Sequence, residues 1–369
     1  MRNHLERTDL CVKPWAGMNI AMDGIRACCY TSKVMEYPHM AGGPYVGENP
    51  WNSPGVVESR RRHLETGVLG NCPRERLCYM REPHTVDEQL EDLRSRYGES
   101  PVFGKIREAI SEGRTEVDFD PVLMEFFIGH GCNADCIFCS QRYLRGRGLP
   151  PVLTDDMVKG ISGMFGGLLK LYLVGGDLFA HDDEVIDKIL SCFPGSRSVE
   201  TTTNGRGLTP DRWERLVRNG PLSSVAVSLD TTNPGRYHAH RQRPLQPTLG
   251  NLERICRENR WTHRIGAVSS VVTSITLSDL PDLVGWAVEN RVGSVVFMTY
   301  TGRSLEDAGL GRFNLLGEGW SPGVAATAER VGREIELARA GSNIAVNGYG
   351  VFLDKIRKKA TEHSRKEPK

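Results

Sequence analysis

From about residue 120 onward, short apolar runs alternate with segments of helical length, and this alternation limits the possible folds more than any other feature. The strand candidates are 122–128 (VLMEFFI), 170–174 (KLYLV), 197–202 (RSVETT), 224–229 (SVAVSL), 266–272 (GAVSSVV) and 294–299 (SVVFMT). They are rich in Val, Ile and aromatic residues. Several lack polar alternation, which is the pattern of strands covered on both faces. Helices are expected near 154–166, 183–192, 210–219, 247–259 and 279–290. The third has Thr209 as a cap, Pro210 at its first position and Gly220 as its stop. Six strands alternating with five helices imply an α/β fold with a parallel sheet. The connections are short enough to curl that sheet toward a barrel, with functional groups at the C-terminal ends of the strands.

Residues 1–82 read differently. They hold Cys11, Cys28, Cys29, Cys72 and Cys78, many Gly and Pro, and no helical pattern before 56–67. The expectation is a small, loop-rich, cysteine-bearing N-terminal domain without a large core, stapled by metal. Helical segments near 85–97 and 101–113 lead into the first strand. Beyond the sixth strand come a loop at 302–313, a helix near 323–340 and a C-terminal segment. The basic run RKKATEHSRKEPK closes the chain and is expected as a solvated, frayed tail. A formal charge of +1 gives no basic imbalance for a nucleic-acid partner. The N-terminus has no apolar signal region, and no run approaches the ~20 apolar residues of a membrane span. A cytoplasmic protein is expected, so its ten cysteines are better suited to metal ligation or reactivity than to disulfides.

The densest group is HGCNADCIFCS, which places Cys132, Cys136 and Cys139 at C-x3-C-x2-C spacing directly after the first strand. Thiolates are soft ligands suited to zinc or iron–sulfur clusters. A closed zinc site wants four ligands, and His130 can supply the fourth. Three thiolates on a cubane cluster instead leave one iron open. Both readings stand on spacing alone.

With Phe138 in the aromatic position, the stretch resembles the C-x3-C-x-aromatic-C signature of the radical S-adenosylmethionine (radical SAM) superfamily. The resemblance covers roughly the middle half of the chain. It implies a partial (β/α)6 TIM-like barrel and a [4Fe–4S] cluster on Cys132, Cys136 and Cys139 that binds S-adenosylmethionine. It also implies cleavage of that cofactor to a 5′-deoxyadenosyl radical, fed by an electron donor such as flavodoxin or ferredoxin. GGD (Gly175, Gly176, Asp177) is similar to the family's GGE segment, with Asp in place of Glu, and implies contact with the cofactor's amino group. TTTNG supplies Thr203 and Asn204, and SLD supplies Ser228 and Asp230, as implied ribose and carboxylate contacts. YHAHR loosely resembles an H-x-x-x-R run, with His238 to Arg241 one residue short, and offers Arg241 to the cofactor's carboxylate.

Cys11, Gly24 and Cys29, spaced C-x12-G-x4-C, resemble the opening of a SPASM/twitch auxiliary-cluster domain, here placed before the barrel instead of after it. The implied ligands of a second [4Fe–4S] cluster are Cys11, Cys29, Cys72 and Cys78, with Cys28 the spare. A zinc knob on the same four thiols is the alternative. Cys192 and Cys256 are candidate hydrogen donors, with buried apolar thiols as the plainer reading. Glu306 and Asp307 sit in a candidate lid. The expected domains are 1–83 (auxiliary cluster), 84–118 (helical linker), 119–301 (barrel) and 302–369 (loop, helix and basic tail). The expected chemistry is hydrogen abstraction from a small polyhydroxylated substrate, such as an amino sugar, aminocyclitol or nucleoside, in secondary metabolism. Dehydrogenation or epimerisation would follow. Modification of a peptide side chain is the second reading, and a zinc-bearing interaction protein the third.

Overall fold

The computed structural model describes residues 4–21, 24–26, 50–67, 84–139, 141–142, 166–258, 265–300 and 309–365. Among them the strands are β1 (Gly17–Ala21), β2 (Gly24–Arg26), β3 (Leu123–Phe127), β4 (Lys170–Val174), β5 (Val199–Thr203), β6 (Ser224–Ser228), β7 (Ile265–Val272), β8 (Ser294–Thr299) and β9 (Ala345–Asn347). They form one sheet in the order β2-β1-β3-β4-β5-β6-β7-β8-β9. The pairs β1/β3, β3/β4, β6/β7, β7/β8 and β8/β9 are parallel, while β1/β2 is antiparallel. From β3 onward the sheet order follows the chain order, and the described connections from β4 to β9 carry helices. This is an α/β fold consistent with a partial TIM-like barrel.

The six expected strands are β3 to β8. Helices Asp183–Ser191, Gln246–Glu258 and Leu280–Glu289 lie where expected, and the helix starting at Pro210 passes at Glu214 into a π-helical turn that ends at Arg218. The helix expected at 154–166 lies outside the described residues, apart from its last position. Burial corrects one expectation. In β4, β5 and β6 buried residues alternate with half-buried ones, whereas β3 is buried along nearly its whole length. The buried face carries Leu and Val, with Thr201 and Thr203 in β5. The other carries Lys170, Tyr172, Glu200, Thr202, Ser224 and Ser228, which are polar and only half covered.

Two compact units divide the chain. The first draws on the described residues within Met1–Gly129, Leu149–Gly175 and Asp182–Glu200. The loop-rich expectation for residues 1–82 is corrected at Gly17–Ala21, which pairs in parallel with β3. The helix Pro54–Thr66 lies where a helical pattern is expected. Leu10, Trp15, Ile20, Trp51 and Val56 join Phe103, Ile106 and Ile110 in a shared core. The apolar residues of the segment occur in short, aperiodic runs because their packing partners lie far along the chain. Arg60, 0% exposed, binds distant pieces together. Its Nε donates to Pro14 O (2.8 Å), its Nη1 donates to Thr115 O (2.8 Å), and its guanidinium lies 4.2 Å over the Trp51 ring. Cys11 donates its backbone N–H to His63 Nε2 at 2.7 Å. Cys28, Cys29, Cys72 and Cys78 lie outside the described residues.

The second unit draws on the described residues within His130–Gly148, Gly176–His181 and Thr201–Lys369. Here the frayed-tail expectation is corrected. Tyr349–Ser364 is a helix whose Tyr349, Phe352 and Ile356 are buried. Their i, i+3, i+7 spacing anchors one face, and Arg357 and Lys358 of the basic run are exposed on the same helix. Arg357 pairs with Glu329 at 2.6 Å, and the Tyr349 hydroxyl donates to Ala328 O at 2.6 Å. Among the described residues no helix is long and apolar enough to cross a membrane.

Candidate functional site

The chain leaves β3 at Phe127 and enters the cysteine loop, where Cys136 is buried and Cys132 and Cys139 are half-buried. Backbone bonds fix this loop against the end of helix Pro234–Arg241. Asp135 N–H donates to Arg241 O (3.3 Å) and Ile137 N–H to His240 O (3.1 Å). That helix has a clear local origin. Asn233 caps it by accepting Arg236 N–H at 3.1 Å, Pro234 opens it, and Gln242 ends it in the left-handed region at φ 56°. The Asn-Pro pair is a start signal legible in the sequence.

The glycine pair after β4 is required by close approach. Gly175 has φ 134°, and a Cβ on Gly176 would lie 1.9 Å from Gly131 O. The cysteine loop's backbone therefore rests on Gly176, and Asp177 N–H donates to Gly131 O at 2.8 Å.

Asp177 is 2% exposed, and its carboxylate is engaged within the protein. It accepts Asn204 N–H (2.7 Å), Phe179 N–H (2.9 Å) and the Thr203 hydroxyl (2.9 and 3.0 Å to its two oxygens). Burial raises its pKa against the pull of those hydrogen bonds. Asp177 thus ties the turn that follows Gly176 to Thr203 and Asn204 at the end of β5. Asn204 carries the tie onward, donating Nδ2–H to Asn133 Oδ1 (2.7 Å) and to Cys132 Sγ (3.6 Å).

Asp230 is likewise internal. It accepts Arg241 Nε–H at 2.5 Å and Val271 N–H at 2.9 Å, and it meets His240 Nδ1 at 2.8 Å. Burial opposes its ionisation, but the Arg241 and His240 charges and their hydrogen bonds hold it well below the usual carboxylate range. Burial also works against the Arg241 charge, yet Asp230 and Cys136 push its pKa up. Arg241 Nη1 lies 3.7 Å from Cys136 Sγ, and its guanidinium sits 5.3 Å from the Phe138 ring centroid. Burial pushes the free Cys136 thiol up to about 12 against the pull of the Arg241 charge, so in this dry setting it needs a metal to ionise. Ser228 meets Ser269 Oγ at 3.3 Å.

The second unit thus brings Cys132, Cys136, Cys139, Phe138, Asp177, Thr203, Asn204 and Arg241 together around one loop, with Ser228 and Asp230 on strand β6 and its end. His240 and Asn133 belong to the same group and were missed, because their partners are distant in sequence. Cys192 is fully buried at the end of helix Asp183–Ser191 and donates Sγ–H to Lys188 O at 3.4 Å. Cys256 is half-buried, and burial holds both thiols up at about 11. Glu306 and Asp307 lie outside the described residues.

The donor set fits an iron–sulfur cluster. Three thiols share one loop, with Ala134 N–H (3.4 Å) and the Asn204 amide on Cys132 and the guanidinium on Cys136. Among the described residues no three His, Cys, Asp or Glu side chains gather around a single ion. A cubane does not ask for that, since it seats each thiolate on a separate iron.

Residues 126–287 match the Radical SAM superfamily. The chain carries a radical SAM domain. That match supports an enzyme, with a [4Fe–4S] cluster and S-adenosylmethionine as cofactors. Sequence relatives include a GTP 3′,8-cyclase of Acidothermus cellulolyticus, 28% identical over 169 residues, covering 43% of this chain and 46% of that protein. A probable GTP 3′,8-cyclase of Methanococcus vannielii is 22% identical over 170 residues, covering 45% and 54%. The chain spans about half the length of these relatives. Similar solved structures include Streptococcus suis SuiB bound to the precursor peptide SuiA (16% identity, TM-score 0.46, covering 71% of this chain and 60% of that one). Another is native anSMEcpe with bound AdoMet (16% identity, TM-score 0.44, covering 61% and 63%).

Proposed function

We propose that this chain is a radical SAM enzyme abstracting hydrogen from a C–H bond of a small polyhydroxylated substrate, such as an amino sugar, aminocyclitol or nucleoside. The outcome is a dehydrogenation, with an auxiliary cluster taking the second electron, or an epimerisation. The observation that carries the reading is the cysteine loop, with three thiols on one turn and N–H donors aimed at two of the sulfurs. When bound there, a [4Fe–4S] cluster supplies the electron that cleaves S-adenosylmethionine to methionine and a 5′-deoxyadenosyl radical.

The chain's own residues hold and shield. Cys132, Cys136 and Cys139 are the cluster ligands. Asn204 and the Ala134 N–H hold Cys132, and Arg241 holds Cys136. Asp177 and Thr203 lock the loop's neighbour, and Phe138 covers the Asp230–His240–Arg241 group from one side. Ile137 and Tyr300 pack with Phe138, Val271, Leu310 and Phe313, an apolar wall that keeps water from a reactive centre. Cys11, Cys29, Cys72 and Cys78 are proposed for the auxiliary cluster in an N-terminal domain of residues 1–83. The relatives named for GTP favour a small nucleoside-like substrate over a peptide.

Anaerobic reconstitution of the full chain tests the assignment. About eight irons are expected for two cubanes, and about four if only the loop is loaded. Cys132→Ala, Cys136→Ala and Cys139→Ala should each abolish 5′-deoxyadenosine formation. Zinc uptake without iron, or 5′-deoxyadenosine from any of the three variants, overturns the reading.

A further inference from the structure

The buried network behind Cys136 has a geometry that cluster ligation alone does not require. One carboxylate oxygen, Asp230 Oδ2, meets both Arg241 Nε (2.5 Å) and His240 Nδ1 (2.8 Å), while Oδ1 accepts Val271 N–H. His240 is held in turn by Thr273 Oγ1 at its Nε2 (3.2 Å), and its ring lies 4.4 Å from that of Phe138. With Nε committed, the planar fork of Arg241 has one orientation, and that orientation aims Nη1 at Cys136 Sγ at 3.7 Å. Asp230 is 0% exposed and Arg241 5%, so solvent screens neither charge.

We propose that Arg241, held by Asp230 and His240, is a positioning residue that sets the reduction potential of the cluster on Cys132, Cys136 and Cys139. The proposal rests on the cluster assignment above and adds to it a specific device. Reduction adds one electron, from a low-potential one-electron donor of the flavodoxin or ferredoxin class, and breaks no bond. The added negative charge is favoured by a nearby cation and by N–H donors on the thiolate sulfurs, two of the factors that set iron–sulfur potentials. Asp230 opposes the cation at contact distance. The two residues therefore push the potential in opposite directions, which simple damage to the fold does not do.

The test reconstitutes wild type, Arg241→Gln and Asp230→Asn anaerobically, counts iron and sulfide, and follows the reduced cluster's electron paramagnetic resonance signal through a redox titration without substrate. Arg241→Gln should become harder to reduce by at least tenfold in the equilibrium constant, 59 mV for one electron. Asp230→Asn, which leaves the guanidinium uncompensated, should become easier to reduce. If Arg241→Gln does not load iron, Arg241→Lys takes its place. It keeps the charge but loses the fork, and a smaller fall in potential is expected. A loaded Arg241 variant with the wild-type potential overturns the proposal, as do shifts of the same sign in the Arg241 and Asp230 variants. Failure of wild type to take up iron overturns the underlying cluster assignment instead.

Discussion

Lengthening Asp177 by one methylene separates the two roles open to it. Its motif implies a side chain reaching toward a cofactor, where the family carries Glu. The structure shows a carboxylate already engaged by Asn204 N–H, Phe179 N–H and the Thr203 hydroxyl, in a site 2% exposed. Asp177→Glu must place an extra methylene where no space is left, a cost of about 1–3 kcal/mol. Asp177→Ala strands two buried backbone N–H groups at about 1–3 kcal/mol each, or roughly 3–5 kcal/mol together once the Thr203 hydroxyl has turned to another acceptor. Asp177→Asn keeps one acceptor and turns the other into a donor facing donors, so it should fall between wild type and Ala. Urea unfolding of the metal-free chain, followed by circular dichroism and by tryptophan fluorescence, gives the differences without involving any cofactor. The two probes also show whether the units unfold together. A glutamate variant within about 0.5 kcal/mol of wild type, the range of an unremarkable surface change, would refute the packing argument.

The approach of Gly176 to Gly131 O makes a second case. Gly176→Ala should displace the cysteine loop, lowering both the melting temperature and the iron bound per chain after reconstitution, and wild-type iron content in that variant would count against it. The Cys192 thiol provides a pH test. Burial raises it to about 11, while an exposed thiol ionises near 8.5. The folded chain thus keeps a proton that the unfolded chain releases. This contribution is complete below about pH 8.5 and is lost as pH rises through about 11. The melting-temperature advantage of wild type over Cys192→Ala should therefore narrow between pH 8 and pH 11. A constant difference across that range would contradict the assignment.

Much of the framework can be read from contiguous residues. The apolar, β-branched and aromatic runs mark β3 to β8, the proline and glycine signals mark most helix ends, and the thiol spacing marks the loop after β3. Each is encoded within a dozen neighbouring positions, so period and spacing suffice. The residues that read poorly depend on partners far along the chain. β1 is recognisable only beside β3, about a hundred residues later, and the basic run is helical as far as Ser364 because Tyr349, Phe352 and Ile356 find a surface to cover.

The same distinction runs through the site. The sequence by itself determined that three thiols sit together at a strand end and that two aspartates follow later strands. Only the tertiary structure decided what those aspartates do. Arg241 is 105 positions from Cys136, and Asn204 is 72 from Cys132. Which donor meets which sulfur is thus a matter of packing, and no local pattern records it. A buried carboxylate is claimed by whichever donors the fold delivers, because leaving it or them unpaired costs more than any motif preference. For Asp177 and Asp230 the fold delivered the protein's own backbone, threonine, histidine and arginine.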